Sequence, residues 1–495
     1  MELTVKTNKG IIEGFIDGGL KKWFGIPFAK PPVGELRFKR AVECDPWDGV
    51  KECKKMGPSP LQFGAGMMEK LTNSPTEKSE DCLYANVWAP EEAKACPVFV
   101  WIYGGANHTG EAAVPEYDLS SFAKNGIVGV SFNYRLGPLG FYNFHELEPS
   151  FDSNCAVSDM IAAMKWVHEN IEAFGGDPEN VTICGESAGG TAVYSLLAAP
   201  AAKGYFQKAI AMSGLAGNVT TQLTHDLNNK LFFDAIGLDR ADALKLKDLP
   251  YETLLKGAQA VMGKSNDVNQ GIFITGPVID DLIPDYPWEM LAKGNAAGVK
   301  CLIGTCFNEG GLFSMMKLIP MNWADIETCL KINHMEGMLG KFKEVYSGMK
   351  EKAAAQAWAT DRMFWADAMR CALAQSRYAD VYSYRFDFTP FIGKVMGIGA
   401  THSMDVGPGL NTYGGSVNTL YKFTSKKKSK DIHDKLHGSF VAFAKTGSPK
   451  GAVGIPWKPF TSEKRMTMLI NSSCSMIEDS NRSRFNLWEP LQLYK

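Results

Sequence analysis

The chain has 495 residues, of which 45% are hydrophobic and 21% charged, with a formal net charge of −2. That composition is ordinary for a globular enzyme, and the balanced charge indicates no electrostatic tether to nucleic acid or to a membrane; a small neutral molecule is the expected partner. The length admits several domains, or one large α/β domain wound around a single sheet.

Met1 to Thr7 opens with polar alternation and no apolar run of the secretory kind, so nothing there exports the chain. Apolar runs elsewhere are strand-sized, well short of the roughly 18 residues of a membrane span. Eleven cysteines occur without CxxC or Cys/His spacing. An odd count in a chain without a leader points to reduced thiols used for packing. The sequons at Asn107, Asn180, Asn218, Asn471 and Asn481 are therefore read as incidental. A soluble, cytoplasmic protein is expected.

In chain order, Val5 to Phe15 alternates about Gly10 and predicts a β-hairpin. Phe24 to Phe38 is too rich in proline for a helix or a central strand and predicts a rim loop. Gly57 to Thr76 is also loop-like, with Phe63, Met67 and Met68 either plugging the core or lining a pocket mouth. Val98 to Tyr103 is an unbroken apolar run, the kind buried on both faces of a parallel sheet. It stops at Gly104-Gly105, where bare backbone amides can face a ligand. Ile127 to Asn133 predicts a further buried strand. Asp159 to Phe174 predicts an amphipathic helix, with Ile161, Met164, Val167, Ile171 and Phe174 on one face.

Val181 to Cys184 then runs as a strand into Gly185-Glu186-Ser187-Ala188-Gly189, and an Ala/Leu-rich helical stretch follows. A serine lifted out of a strand end needs small neighbours, and the helix behind it aims free N–H groups at the same point. A Gly-x-Ser-x-Gly pentapeptide also arises by chance in a chain with 49 glycines, so the reading rests on the strand before it, the helix after it and partners elsewhere.

Phe24 to Phe38, Glu80 to Trp88, Asn133 to Phe141 and Trp166 to Gly190 resemble successive signature segments of the type-B carboxylesterases, the α/β-hydrolase family that includes cholinesterases and bacterial para-nitrobenzyl esterases. The resemblance runs to about Pro490. It implies a single α/β-hydrolase domain over residues 1–495, with a large, mostly parallel central sheet flanked by helices and helical insertions over the active site.

A serine hydroxyl needs a base to take its proton and an acid to orient that base. Of eight histidines, His402 stands in a small-residue loop, Gly397 to Asp405, that resembles the family's histidine loop. The others are expected to be solvated or structural. His433 and His437 have the i, i+4 spacing of metal ligands but lack a third ligand, and a surface face of a Lys-rich helix is expected there. Glu309, leaving the strand-like Leu302 to Phe307, resembles the family's triad glutamate, with Asp405 the competing carboxylate. The order Ser187, Glu309, His402 is the one the fold requires.

The resemblance places an oxyanion hole on the amides of Gly104, Gly105 and Ala188. Many relatives carry histidine where this chain has Tyr103, so support of that loop should differ. The Gly-Gly-Ala-x form also resembles hydrolases that accept bulky, even tertiary, alcohol esters. Ser213 and Glu186 are expected to support the site rather than do chemistry. Phe273, Thr275, Phe307, Phe313 and Leu410 are candidates for pocket walls, with core packing the competing role for each. Cys82 sits where extracellular relatives close a disulfide, but the partner position near Ser59 to Gln62 has no cysteine.

The implied activity is hydrolysis of carboxylic esters, short- to medium-chain or aryl, through an acyl-enzyme, by a monomer or small homo-oligomer that needs no cofactor and no metal. Carbamates, lactones and activated amides suit the same machinery. The alternative is a non-catalytic adhesion or binding protein on the same fold, a class that typically lacks the nucleophile.

Overall fold

The computed structural model describes residues 3–62, 76–269, 275–413, 420–479 and 481–491. Its main sheet comprises β1 (Phe15–Asp17), β2 (Leu20–Pro27), β3 (Tyr84–Pro90), β4 (Cys96–Ile102), β5 (Val128–Phe132), β6 (Gly176–Glu186), β7 (Lys208–Met212), β8 (Lys300–Cys306), β9 (Val381–Phe386), β10 (Thr467–Ile470) and β11 (Ser475–Ile477). The spatial order is β11-β10-β9-β8-β7-β6-β4-β5-β3-β2-β1. From β10 to β5 every neighbouring pair is parallel, and the pairs beyond are antiparallel, giving the expected mostly parallel sheet.

β4 shows why this sheet forms. Val98, Val100 and Ile102 face one apolar layer, while Phe99 and Trp101 face the other, so the unbroken apolar run is buried on both sides. Helices α1 (Cys155–Asn170) and α2 (Ala188–Ala198) cover the first face with Met160, Met164, Val167, Val193 and Leu196. Between β7 and β8 lie α3 (Gln222–Ile236) and α4 (Tyr251–Asn269), and between β8 and β9 lie α5 (Glu351–Thr360) and α6 (Ala366–Gln375). The second face is covered by the 21-residue α7 (Lys426–Thr446), through Ile432, Leu436, Phe440 and Phe443.

The chain leaves β4 toward β5 on one side, and β6 then returns on the other. Connections that part in opposite directions open a crevice at the carboxyl ends of the two strands. Gly104 and Ser187 lie at that crevice.

The expected opening hairpin is present: Thr4–Lys6 pairs antiparallel with Ile11–Glu13, Val5 opposite Ile12. Phe24 to Pro27 differs from expectation, being the end of β2 and not loop. A bulge between Phe24 and Ile26, with Gly25 at φ 74°, bends the strand, and Pro27 is tolerated because it is the last residue. The helix read from Asp159 starts earlier, at Cys155, because Asp159 is buried inside it as the partner of Arg135. Phe63, Met67, Met68 and Phe273 lie outside the described residues.

Candidate active site

Ser187 sits between β6 and α2 with φ 59° and ψ −123°, a backbone conformation strained for a residue with a side chain. Close packing around the turn holds it there. A Cβ on Gly185 would lie 2.3 Å from the Gly189 carbonyl oxygen, and one on Gly189 would lie 2.1 Å from the Ile102 oxygen. Only glycine fits either position, which is the physical content of the Gly-x-Ser-x-Gly pattern. The Ser187 amide donates to the Met212 carbonyl (3.0 Å), tying the turn to β7.

The structure brings Ser187, His402 and Glu309 together from three separate connections. Ser187 Oγ lies 2.8 Å from His402 Nε2, and His402 Nδ1 lies 2.7 Å from Glu309 Oε2. The other Glu309 oxygen accepts from Ser213 Oγ and from the Cys306 amide, both at 2.6 Å. Glu309 is fully buried and all its carboxylate bonds are directed, so it is no solvated turn residue. Asp405 points elsewhere and accepts from the Tyr384 hydroxyl (2.8 Å).

A second carboxylate also faces the imidazole: Glu186 Oε1 is 3.3 Å from His402 Nε2 and accepts from Ser403 Oγ at 2.6 Å. Burial opposes charge on the His402 ring, but Glu186, Glu309 and Asp405 outweigh it and raise its pKa to about 9. Burial pushes Glu186 up to about 7 against the pull of His402, and it raises Asp405, with the help of Glu309, to about 6. The same carboxylates favour the charged ring, and only the neutral imidazole can take a proton from the Ser187 hydroxyl.

The glycine pair lies beside the serine. A Cβ on Gly104 would meet the Glu186 oxygen at 2.5 Å and the Ser187 Cβ at 2.9 Å, and Gly105 takes φ 124°. Among the described residues, the amides of Gly104, Gly105 and Ala188 make no backbone hydrogen bond outside regular elements. Tyr103 supports this loop by stacking on Tyr134 (4.5 Å, 16°), whose hydroxyl donates to the Tyr103 carbonyl (2.6 Å).

This arrangement has close counterparts among known proteins. A family model described as the carboxylesterase family matches residues 1–488. The chain belongs to the carboxylesterase family. It is 35% identical to the para-nitrobenzyl esterase of Bacillus subtilis (strain 168), over 96% of each chain. A solved para-nitrobenzyl esterase superposes with a TM-score of 0.90 at 33% identity, covering 99% of this chain and 100% of the other. A Geobacillus stearothermophilus carboxylesterase gives 0.84 at 31% identity, over 98% and 100%. The fold is that of the α/β hydrolases, and the protein is a carboxylic ester hydrolase.

In this carboxylesterase the remaining candidates are placed as follows. Phe313 packs on the His402 ring at 5.0 Å, and Thr275 bonds through its hydroxyl to His108 Nε2 (3.0 Å) and through its carbonyl to Asn107. Leu410 is buried in the core. Phe307 is 57% exposed and lies under the Arg385 guanidinium. His433 and His437 do not form a surface face. Both are buried, His433 stacked on Tyr413 (4.2 Å) and His437 bonded to the Gly409 carbonyl and Ser121. The lysines of that helix turn outward, which is why its sequence reads as exposed. No group of three His, Cys, Asp or Glu that could hold a metal occurs among the described residues.

Sequence reading missed Phe364, whose ring lies 4.8 Å from that of His402, and Ser403, which holds Glu186. Phe364 falls in a π-helical turn, Asp361–Trp365, joining α5 to α6. Such turns mark functional sites but leave no periodicity to read.

Proposed function

We propose that Ser187, His402 and Glu309 are the catalytic triad of this serine carboxylesterase, and that Gly104, Gly105 and Ala188 supply the oxyanion hole. The observation that carries the reading is the unbroken hydrogen-bonded series Ser187 Oγ, His402 Nε2, His402 Nδ1, Glu309 Oε2 at 2.8 and 2.7 Å. Ser187 Oγ attacks the ester carbonyl while Nε2 takes its proton. The carbonyl oxygen becomes an oxyanion facing the three amides, a donor worth about 3–4 kcal/mol in comparable sites. Collapse expels the alcohol, which receives the proton from Nε2 and leaves the acyl group on Ser187. Water then attacks with Nε2 again as base, releasing the acid and restoring the serine. Glu309 holds the ring in register and offsets its positive charge, Ser213 fixes Glu309, and Glu186 adds a second negative neighbour.

Short- to medium-chain or aryl esters are the proposed substrates, in keeping with the para-nitrobenzyl esterase name of the relative. The first and last strands of the main sheet are drawn from near the two ends of the chain, which supports one domain over residues 1–495. No helix among the described residues is long and apolar enough to cross a membrane. Eleven free cysteines, most of them buried, support a reducing, cytoplasmic setting.

The test is hydrolysis of para-nitrophenyl esters from acetate to octanoate by wild type and Ser187→Ala. Activity on the shorter esters that vanishes in the variant, with fluorophosphonate labelling of Ser187 alone, is the expected result. Equal activity of the two proteins would overturn the assignment.

A further inference from the structure

The formal charge of −2 over the whole chain hides one strong local concentration of positive charge. Lys422, Lys426, Lys427 and Lys428 are all exposed, and Lys394 and Lys428 both line a cavity of about 450 Å³. The neighbouring acids have cationic partners of their own: Asp387, which also lines the cavity, with Arg385, Asp431 with Lys435 and Asp434 with Lys430. Lys426, Lys427 and Lys428 moreover occupy the first turn of α7, where the helix dipole disfavours cations. The helix dipole therefore does not account for that placement.

The same surface exposes large apolar side chains. Phe423 and Val395 are each 71% exposed, Phe391 54% and Met396 47%. Phe391 and Phe423 line the cavity together with Lys394 and Lys428, and the Phe391 amide donates to Thr424 Oγ1 (3.1 Å), so the short helix Phe391–Val395 and the approach to α7 form one face.

We propose that this face docks the protein on an anionic lipid surface, with Phe391, Val395, Met396 and Phe423 entering the headgroup layer and the surrounding lysines meeting the lipid phosphates and carboxylates. Lysines flanking exposed apolar groups are the combination that gives reversible interfacial binding. A nucleic acid would use the lysines but would gain little from the aliphatic Val395 and Met396. The overall charge, which gives no reason to expect a membrane surface, averages this face against an acidic remainder.

The docking face also adjoins the histidine loop. The Ile398 amide donates to the Gly393 carbonyl (3.1 Å) and the Tyr421 hydroxyl to the Met404 carbonyl (2.8 Å), so both docking segments are bonded into the loop that carries His402. It lies beyond the carboxyl end of β9, the edge of the sheet from which Ser187 also emerges. Docking would bring the hydrolytic side of the molecule to the lipid interface, where apolar esters collect. The binding itself does not depend on the catalytic assignments.

The test is cosedimentation of the full-length protein with phosphatidylcholine vesicles, with and without phosphatidylserine, at low and near-physiological salt. Binding only to phosphatidylserine vesicles, weakened by salt, is expected. Combined Lys426→Glu, Lys427→Glu and Lys428→Glu should reduce partitioning on the order of a hundredfold or more. Combined Phe391→Ser and Phe423→Ser should reduce it at least about tenfold. Both variants should keep the wild-type thermal midpoint and the wild-type rate on a water-soluble para-nitrophenyl ester. Absence of preference for phosphatidylserine vesicles would overturn the proposal. So would loss of binding in the lysine variant alone with full competition by duplex DNA, the mark of an unselective polyanion site.

Discussion

Glu186→Gln separates the electrostatic part of this site from its geometry. The Glu186 carboxylate lies 3.3 Å from His402 Nε2, on the side of the ring that faces Ser187, and is steadied by Ser403. Burial alone would make the imidazole a weaker base, but Glu186, Glu309 and Asp405 raise it to about 9. A general base works only when neutral, so every carboxylate that raises its pKa moves the acid limb of the kcat/KM profile to higher pH. Glutamine keeps the shape and still accepts from Ser403, but it carries no charge. One charge at this distance is worth roughly one to three pKa units, so the acid limb should move down by that amount. The alkaline plateau should also fall, by roughly tenfold, because the imidazolium of the transition state loses the same neighbour and one unit corresponds to about 1.36 kcal/mol. Burial raises Glu186 itself to about 7, so in the wild type the two groups titrate as a pair and the limb should be broad. In the variant it should narrow to a single step. The assay is kcat/KM on a para-nitrophenyl ester from acid to alkaline pH. An acid limb of unchanged position and breadth in Glu186→Gln would refute the reasoning and leave Glu186 a purely steric role.

Ser213→Ala removes one of two hydrogen bonds to Glu309 Oε1; a bond to a charged group is worth about 1.5–3 kcal/mol, so kcat should fall roughly ten- to a hundredfold with KM little changed. Equal changes in kcat and KM would argue against a role through Glu309. Gly104→Ala drives a Cβ to 2.5 Å from the Glu186 carbonyl oxygen and should displace the amides beside Ser187, costing about 10²–10³ in kcat; near-wild-type turnover would place the oxyanion elsewhere. Arg135→Leu leaves Asp159 buried without its bidentate partner, now held at 2.8 and 2.7 Å, and should cost about 3–5 kcal/mol, read as a lowered urea midpoint. An unchanged midpoint would show that the pair adds nothing to stability.

The parts of this protein legible in its sequence are those whose chemistry is local. The turn at Ser187 requires glycine at 185 and 189 because backbone oxygens lie within 2.3 Å of where a Cβ would be, so the motif is visible without any partner. β4 is legible because burial on both faces removes every polar residue from Val98 to Ile102. His402 and Glu309 could be singled out only through resemblance, since nothing local tells a loop histidine or a turn glutamate that it will be buried. The face of α7 was misjudged for the opposite reason: the lysines of its first turn dominate composition, while His433 and His437 lie on the side packed against Tyr413, Ser121 and Phe122. Phe364 and Ser403 left no signal, because their roles arise from side chains distant in sequence meeting one ring.

The distances at the site follow from strand register more than from the loops themselves. Ser187 N bonds Met212 O (3.0 Å), and Ser213 N bonds Gly304 O (2.8 Å); Phe307 N bonds Phe386 O (3.0 Å), and Asn308 N bonds Ala400 O (2.9 Å). These four backbone bonds step across the ends of β6, β7, β8 and β9, and they join in turn the serine, its supporting Ser213, the turn of Glu309 and the loop of His402. Register opposes Glu186 to Met212 and Met212 to Gly304. A slip of one residue in β8 would carry Glu309 about 3.3 Å along the strand direction and turn its neighbours to the other face of the sheet. That displacement exceeds the whole range over which a hydrogen bond survives. The sheet core, with Val100, Ile183, Ala211 and Ile303 facing the same apolar layer on successive strands, therefore sets the geometry of the proposed chemistry as well as the stability of the fold.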